Sequence, residues 1–220
     1  MNGSNVISTS YDSIINLKLL QKQSYKFVQV QGTEDRLYNG SIQNINEAKV
    51  VLKLLCDLRS TLPRLARDPH WCSIKKIRVI TFYQAQVELI ARMLSENGLQ
   101  NIAVSSVDSS QGSEADLIVI SFVRTGRMGS IGFLSDDRRL NVALTRAKFK
   151  LVCVGDFSQL ATTQGKGAYT IRSLIQDAVD RDKIDSDYSA NTKYLLHRQK
   201  KRNNSINHGN KKGNKRQRKS

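Results

Sequence analysis

Proline is almost missing from this chain of 220 residues: only Pro63 and Pro69 occur. Neither interrupts an apolar segment, so every candidate core segment is free to form a regular helix or strand. Cysteine is nearly as scarce. Cys56, Cys72 and Cys153 are odd in number and far apart, which excludes a disulfide framework and a paired zinc pattern. His70 near Cys72 is one candidate metal pair, but no second pair completes it, and metal ligands are expected to be none. The cysteines read as packing residues in a reducing compartment. No apolar run approaches the roughly eighteen residues of a membrane span. The longest, Leu117–Val123, has the length of a buried strand. The opening MNGSNVISTSYDS lacks the basic and apolar regions of a secretory signal.

Acidic residues are absent from Tyr188 onward, where eleven Lys and Arg residues accumulate. Of the formal charge of +16, that tail carries +11 and the rest of the chain +5. A polycation cannot collapse into a core, so residues 188–220 are expected to be a disordered basic tail. Such a tail adds salt-sensitive attraction to nucleic acid and has the composition of a nuclear import signal. The plain alternative is a solvated end without a specific role. The expected location is nuclear or cytoplasmic.

Residues 1–25 are weakly patterned and read as a remnant or linker of an upstream domain. From Lys26 the pattern sharpens. Lys26–Gln31 is a candidate strand. Asn44-Ile45-Asn46-Glu47 has the form of a helix-opening capping box, followed by Ile45, Ala48, Leu52 and Leu55 at helical spacing. Ile77–Phe82 reads as a strand. Val87, Ile90, Ala91 and Leu94 mark a helix ending near Asn97-Gly98. Ile102–Val107, Leu117–Val123 and Phe149–Val154 read as further strands, and a last helix is expected over 168–180. Val- and Ile-rich strands alternating with amphipathic helices predict an α/β fold, a mostly parallel sheet with helices on both faces, over 26–187. In such sheets functional groups gather after the carboxyl ends of strands.

Three segments carry candidate chemistry. Ile80–Gln86 (ITFYQAQ) runs from a strand into a helix, where Thr81 and Gln86 offer a hydroxyl and an amide beside free helical N–H groups. Val104–Glu114 (VSSVDSSQGSE) concentrates Ser106, Asp108, Gln111 and Glu114 around Gly112, suiting a loop that holds ribose and phosphate. Asp136–Lys148 (DDRRLNVALTRAK), taken as one helix, puts Leu140, Leu144 and Ala147 on a core face and Arg139, Val142 and Arg146 on a flank. A guanidinium aimed outward from a braced helix can stabilise a transferring phosphoryl group. Each segment alone reads equally well as a capped helix, a polar turn or a solvated basic face.

In this order and spacing, the three segments resemble the superfamily 1 helicases, in the branch that includes senataxin and the RNA helicase of nonsense-mediated decay. The first is similar to that branch's T-x-Y-x-x-Q segment, the second to its motif V and the third to its motif VI. Weaker similarity extends to residues 32–48 and 173–184, so the resemblance covers about 26–184. It implies a RecA-like fold and the second of two motor lobes. It also implies that Arg146 is the catalytic arginine finger on ATP, that Gln111, Gly112, Glu114 and Arg146 bind the nucleotide, and that Thr81, Gln86, Ser106 and Asp108 lie along or support a single-stranded RNA or DNA track. Arg139 is expected to brace motif VI. Ser106 stands where the family usually has threonine.

The phosphate loop G-x-x-x-x-G-K-[ST] is absent. Gly165-Lys166 fails as one, with Leu160 in place of the first glycine and Gly167 in place of the hydroxyl residue. No D-E-x-x pair is present to hold Mg²⁺, and Gly155–Leu160 (GDFSQL) reads as the end of a sheet strand. A first RecA-like lobe, in cis upstream or in trans, is expected to supply those parts, and the isolated chain is expected to be inactive. The rival reading is a non-catalytic nucleic-acid-binding protein or interaction module with a relic lobe.

Overall fold

The computed structural model describes residues 24–61, 76–126, 130–165 and 167–185. The expected remnant, apart from its last two residues, the expected basic tail, and Pro63, Pro69, His70, Cys72 and Lys166 lie outside them. Six parallel strands form the main sheet, in the order β5-β4-β6-β7-β1-β8. They are β1 (Tyr25–Gln29), β4 (Ile77–Thr81), β5 (Ala103–Ser106), β6 (Ala115–Ser121), β7 (Ala147–Gly155) and β8 (Ile184–Asp185). A small antiparallel hairpin, β2 (Asp35–Arg36) with β3 (Ile42–Gln43), stands apart from it.

The central strands are apolar at nearly every position because both faces are covered. Side chains alternate between faces along each strand. Ile77, Val79, Leu117, Val119, Val152 and Val154 share one core with α1 (Ile45–Thr61) and α2 (Gln84–Glu96). Ile80, Ile118, Ile120, Leu151 and Cys153 share the other with α3 (Asp137–Leu144) and α5 (Ala168–Asp180). Between β7 and α5, the short helix α4 (Phe157–Leu160) is capped by Asp156, whose carboxylate accepts the Gln159 amide. GDFSQL is therefore a strand end at Gly155 only, and the remainder is a cap and helix. Burial holds the Cys153 thiol above its usual range, as befits a packing residue. This is a RecA-like α/β fold.

Two helices are rotated from the expected stripe. In α1 the buried face is Glu47, Ala48, Val51, Leu54, Leu55 and Leu58, whereas Ile45 is 39% exposed and Leu52 half-buried. In α2 the buried residues are Ala85, Gln86, Leu89, Ile90 and Leu94, whereas Ala91 is exposed. The mismatch arises because each buried face admits a polar residue, Glu47 or Gln86, which apolar spacing cannot register. The third helix is shorter than expected. It stops at Leu144, Arg146 lies in the following turn, and Ala147 opens β7 opposite Ala115. Sheet pairing captures the chain there, and Thr145 turns its hydroxyl back onto the Asn141 and Val142 carbonyls.

Leu55 is 1% exposed. Leu55→Ala is expected to cost about 2–5 kcal/mol through lost burial and a cavity. Ile45→Ala is expected to stay within about 0.5 kcal/mol. Urea unfolding of the two variants checks the rotated stripe.

Candidate functional site

The sequence candidates divide between opposite edges of the sheet. Glu114 and Arg146 immediately precede β6 and β7, at their amino ends, and not after carboxyl ends as the general rule predicts. The two strands are neighbours, and the Ala115 amide donates to the Arg146 carbonyl at 3.1 Å, which places Arg146 beside Glu114. Arg146 folds back on its own helix. Its Nε donates to the Val142 carbonyl at 3.1 Å and Nη2 to the Thr145 hydroxyl at 3.4 Å. A guanidinium has five N–H donors, and among the described residues the others have no partner. Among the described residues no carboxylate pairs with it. Gln111 and Glu114 are exposed, and Gly112 adopts φ +77°, a turn that glycine makes without strain.

The other group sits past the carboxyl ends, beyond the seven residues of β6, a distance of about 20 Å at ~3.3 Å per residue. Thr81 ends β4 and is fully buried, and its Oγ1 has no hydrogen-bond partner among the described residues. Ser106 ends β5 and is half-buried, its hydroxyl 2.8 Å from that of Ser109. Asp108 opens a 3₁₀ turn and holds Arg139 by two bonds of 3.0 Å, while the Arg139 guanidinium lies 4.4 Å from the centre of the Phe133 ring. Arg139 is thus braced to motif V. Gln86 is fully buried and cannot meet solvent.

Gln86 instead belongs to a buried polar cluster. Its side chain accepts the Asn44 amide at 2.8 Å and donates to the Asn44 carbonyl at 3.1 Å and to Ser121 Oγ at 3.0 Å. Ser121 donates onward to Glu47 Oε2 at 2.6 Å, which also accepts the Val123 amide at 2.9 Å. Asn44 Nδ2 donates to Glu47 Oε1 and to the Val123 carbonyl. Val123 has φ +69°, and Arg124 N–H bonds the Phe122 carbonyl at 2.7 Å across it, a strained three-residue turn for a β-branched side chain. Immediately after it, Arg124 pairs with Glu34 at 2.9 Å, both side chains 3% exposed, and donates Nη2 to the Ser130 carbonyl.

The family model described as "AAA domain" matches residues 1–158. The chain belongs to that family, within the superfamily 1 helicases. It is 38% identical over 127 residues to the DNA replication ATP-dependent helicase/nuclease DNA2 of Mus musculus, covering 57% of this chain and 11% of that protein. Identity is 39% over 142 residues with Regulator of nonsense transcripts 1 of Caenorhabditis elegans, covering 61% and 12%. It is 32% over 176 residues with Helicase sen1 of Schizosaccharomyces pombe, covering 78% and 10%. This helicase-family chain thus spans about a tenth of the length of these relatives. No helix among its described residues is long and apolar enough to cross a membrane.

Sequence reasoning missed Glu47 as anything beyond a cap, and gave no role to Glu34, Tyr83, Arg124 and Phe133, although each lies in a segment that carries the family resemblance. The expected stripe of Ile45, Ala48, Leu52 and Leu55 gave no signal for Glu47, which lies on the buried face with Val51 and has to be satisfied internally.

Burial pushes the Glu47 carboxyl up to about 8 and the nearby Asp156 charge adds to this, against the lowering effect of the Ser121 and Val123 donors. A raised carboxyl keeps its proton in the fold where the unfolded chain has lost it. Stability is therefore expected to fall as pH rises from about 4.5 to about 8, by at most about 1.4 kcal/mol per pH unit. Glu47→Gln cannot titrate, so its unfolding free energy should lose that slope. Urea unfolding across the window measures both.

Proposed function

We propose that residues 26–187 form the second motor lobe of an ATP-dependent helicase, supplying an arginine finger and half of a single-stranded RNA or DNA track. The observation that carries this reading is the backbone bond joining Arg146 to the segment of Glu114. One exposed carboxylate and one incompletely satisfied guanidinium share the amino edge of the sheet, a pairing suited to a ribose hydroxyl and a phosphoryl oxygen of one nucleotide.

In the complete motor ATP supplies the phosphoryl group, and Mg²⁺ is held by the first lobe, in cis or in trans. This lobe's own residues do three things. Arg146 stabilises the negative charge that grows on the transferring phosphoryl group. Glu114 accepts from the sugar, and Gln111 and Gly112 shape its loop. Ser106 and Asp108 line the track, while Thr81 and Gln86 support it from below. Residues 188–220 act as a basic tail that adds affinity for nucleic acid and directs the protein to the nucleus, with a cytoplasmic pool remaining.

The isolated chain is expected to turn over no ATP, and brisk turnover by a pure preparation would reject the division of labour. Joined to a first lobe that carries the phosphate loop and the acidic pair, it should give nucleic-acid-stimulated hydrolysis. Arg146→Ala should then lower kcat by about 10³-fold or more, with strand affinity unchanged. Equal stimulation by the variant would reject the finger.

A further inference from the structure

Successive strands run outward in opposite directions from the gap between β4 and β6. The chain leaves β4 through α2 on one face to reach β5, and leaves β6 through α3 on the other face to reach β7. Such a reversal opens a crevice beyond the carboxyl ends of the two strands, the place where α/β sheets take ligands. A cavity of about 730 Å³ lies there, within the roughly 300–1,000 Å³ of small-molecule sites. Its walls are Phe82 and Tyr83 after β4, Arg124 and Phe133 after β6, and Arg36 and Ser41 from the β2–β3 hairpin.

The walls are fixed. Tyr83 and Phe133 rings lie 5.1 Å apart, and the Tyr83 hydroxyl accepts the Phe133 amide at 3.3 Å. A side chain at Gly132 would strike that hydroxyl at 2.2 Å. Ser41 Oγ accepts the Ala85 amide, which fastens the hairpin to the start of α2. Arg124 is neutralised by Glu34. Arg36, in contrast, is exposed and has no acidic partner among the described residues. The cavity therefore offers aromatic surface inside and one open cation at its mouth. A planar ring joined to a phosphate meets both demands.

We infer that this cavity takes one unstacked base of a single strand, its ring against Tyr83 and Phe133 and its phosphate at Arg36. A strand is favoured over a free mononucleotide because Phe133 also lies under Arg139, which is bonded to Asp108. One aromatic ring thus joins the cavity to the Ser106–Asp108 segment. The polar wall groups Ser41, Gln84, Arg124 and the Tyr83 hydroxyl already bond Ala85, Glu88, Glu34 and Phe133, so stacking outweighs readout of a base edge and base identity is of little consequence. The inference rests on the proposed nucleic-acid track and adds a subsite to it.

The test compares the full chain's affinity for a short single-stranded oligonucleotide with that for a strand of equal length made of abasic sugar-phosphate. The basic tail sees the same phosphates in both, so its contribution cancels. The base-bearing strand is expected to bind about tenfold tighter. Phe133→Ala, whose ring is 45% exposed, and Tyr83→Ala should erase that preference. Tyr83→Phe should retain it. Arg36→Ala should weaken both strands and reduce the salt slope by about one. Equal binding of the two strands by the unaltered chain overturns the base subsite while leaving the track intact. Failure to bind either strand overturns the track and the subsite together. A free nucleoside monophosphate that binds as tightly as the strand overturns the choice of a strand.

Discussion

A carboxyl group buried at the start of a helix holds the carboxyl end of the sheet together. Glu47 has no access to water, and its oxygens are filled by a hydroxyl and a backbone amide from the end of β6 and by the carboxamide of Asn44 at the start of its own helix. Desolvation opposes the charge, and the cluster is tolerated because each member satisfies another. The same arrangement makes it unforgiving. Removing one member leaves the others buried and unpaired, which costs roughly 1–3 kcal/mol for each orphaned group. It also holds Val123 in a left-handed conformation that a β-branched residue avoids when free. That turn swings the chain away from β6, so that Arg124 meets Glu34 and the wall of the crevice is set. The shape of the cavity thus depends on a helix cap at its far side.

Central strands stiff enough to carry two kinds of contact separate them cleanly. Glu114 and Arg146 share the amino edge; Ser106 and Asp108 share the carboxyl edge. The helix α3 runs between these edges. Its first turn carries Arg139, bonded to Asp108, and its last carbonyls hold the Arg146 side chain. Its eight residues extend about 12 Å. In the proposed motor, a displacement at one edge has a short, hydrogen-bonded route to the other through this single element, with apolar backing from Leu140 and Ala143.

Much of this was legible in the sequence, and the unevenness has physical causes. Strand positions were readable because segments such as ADLIVIS and IRVIT are buried on both faces, and α5 began and ended where expected because its stripe is purely apolar on the core side. The motif segments marked the loops that carry the candidate residues. The helix registers of α1 and α2 were less legible, since Glu47 and Gln86 occupy core positions by virtue of long-range partners at 121, 123 and 44. The end of α3 was hidden for a similar reason: nothing local stops a helix at Leu144, and the pairing of Ala147 with Ala115 does. The crevice was invisible because its walls come from segments that are distant in sequence, and Tyr83 and Phe133 are ordinary aromatics until the fold puts them 5.1 Å apart.

The early end of α3 bears directly on what Arg146 is suited to do. On a continued helix its side chain would project from a flank with free rotation about several bonds. In the turn, the backbone is tied to β6 through Ala115, and Nε is tied to the last turn of the helix through Val142. A helix carboxyl end favours a cation by its dipole, and the carbonyl that receives Nε is part of that end. The guanidinium is thereby held before any phosphate arrives, and its remaining donors lie in the plane that the Nε bond orients. Lysine has no second nitrogen with which to be anchored and to bind at once. The proposed role thus needs an arginine at 146, and it needs the helix to have stopped before reaching it.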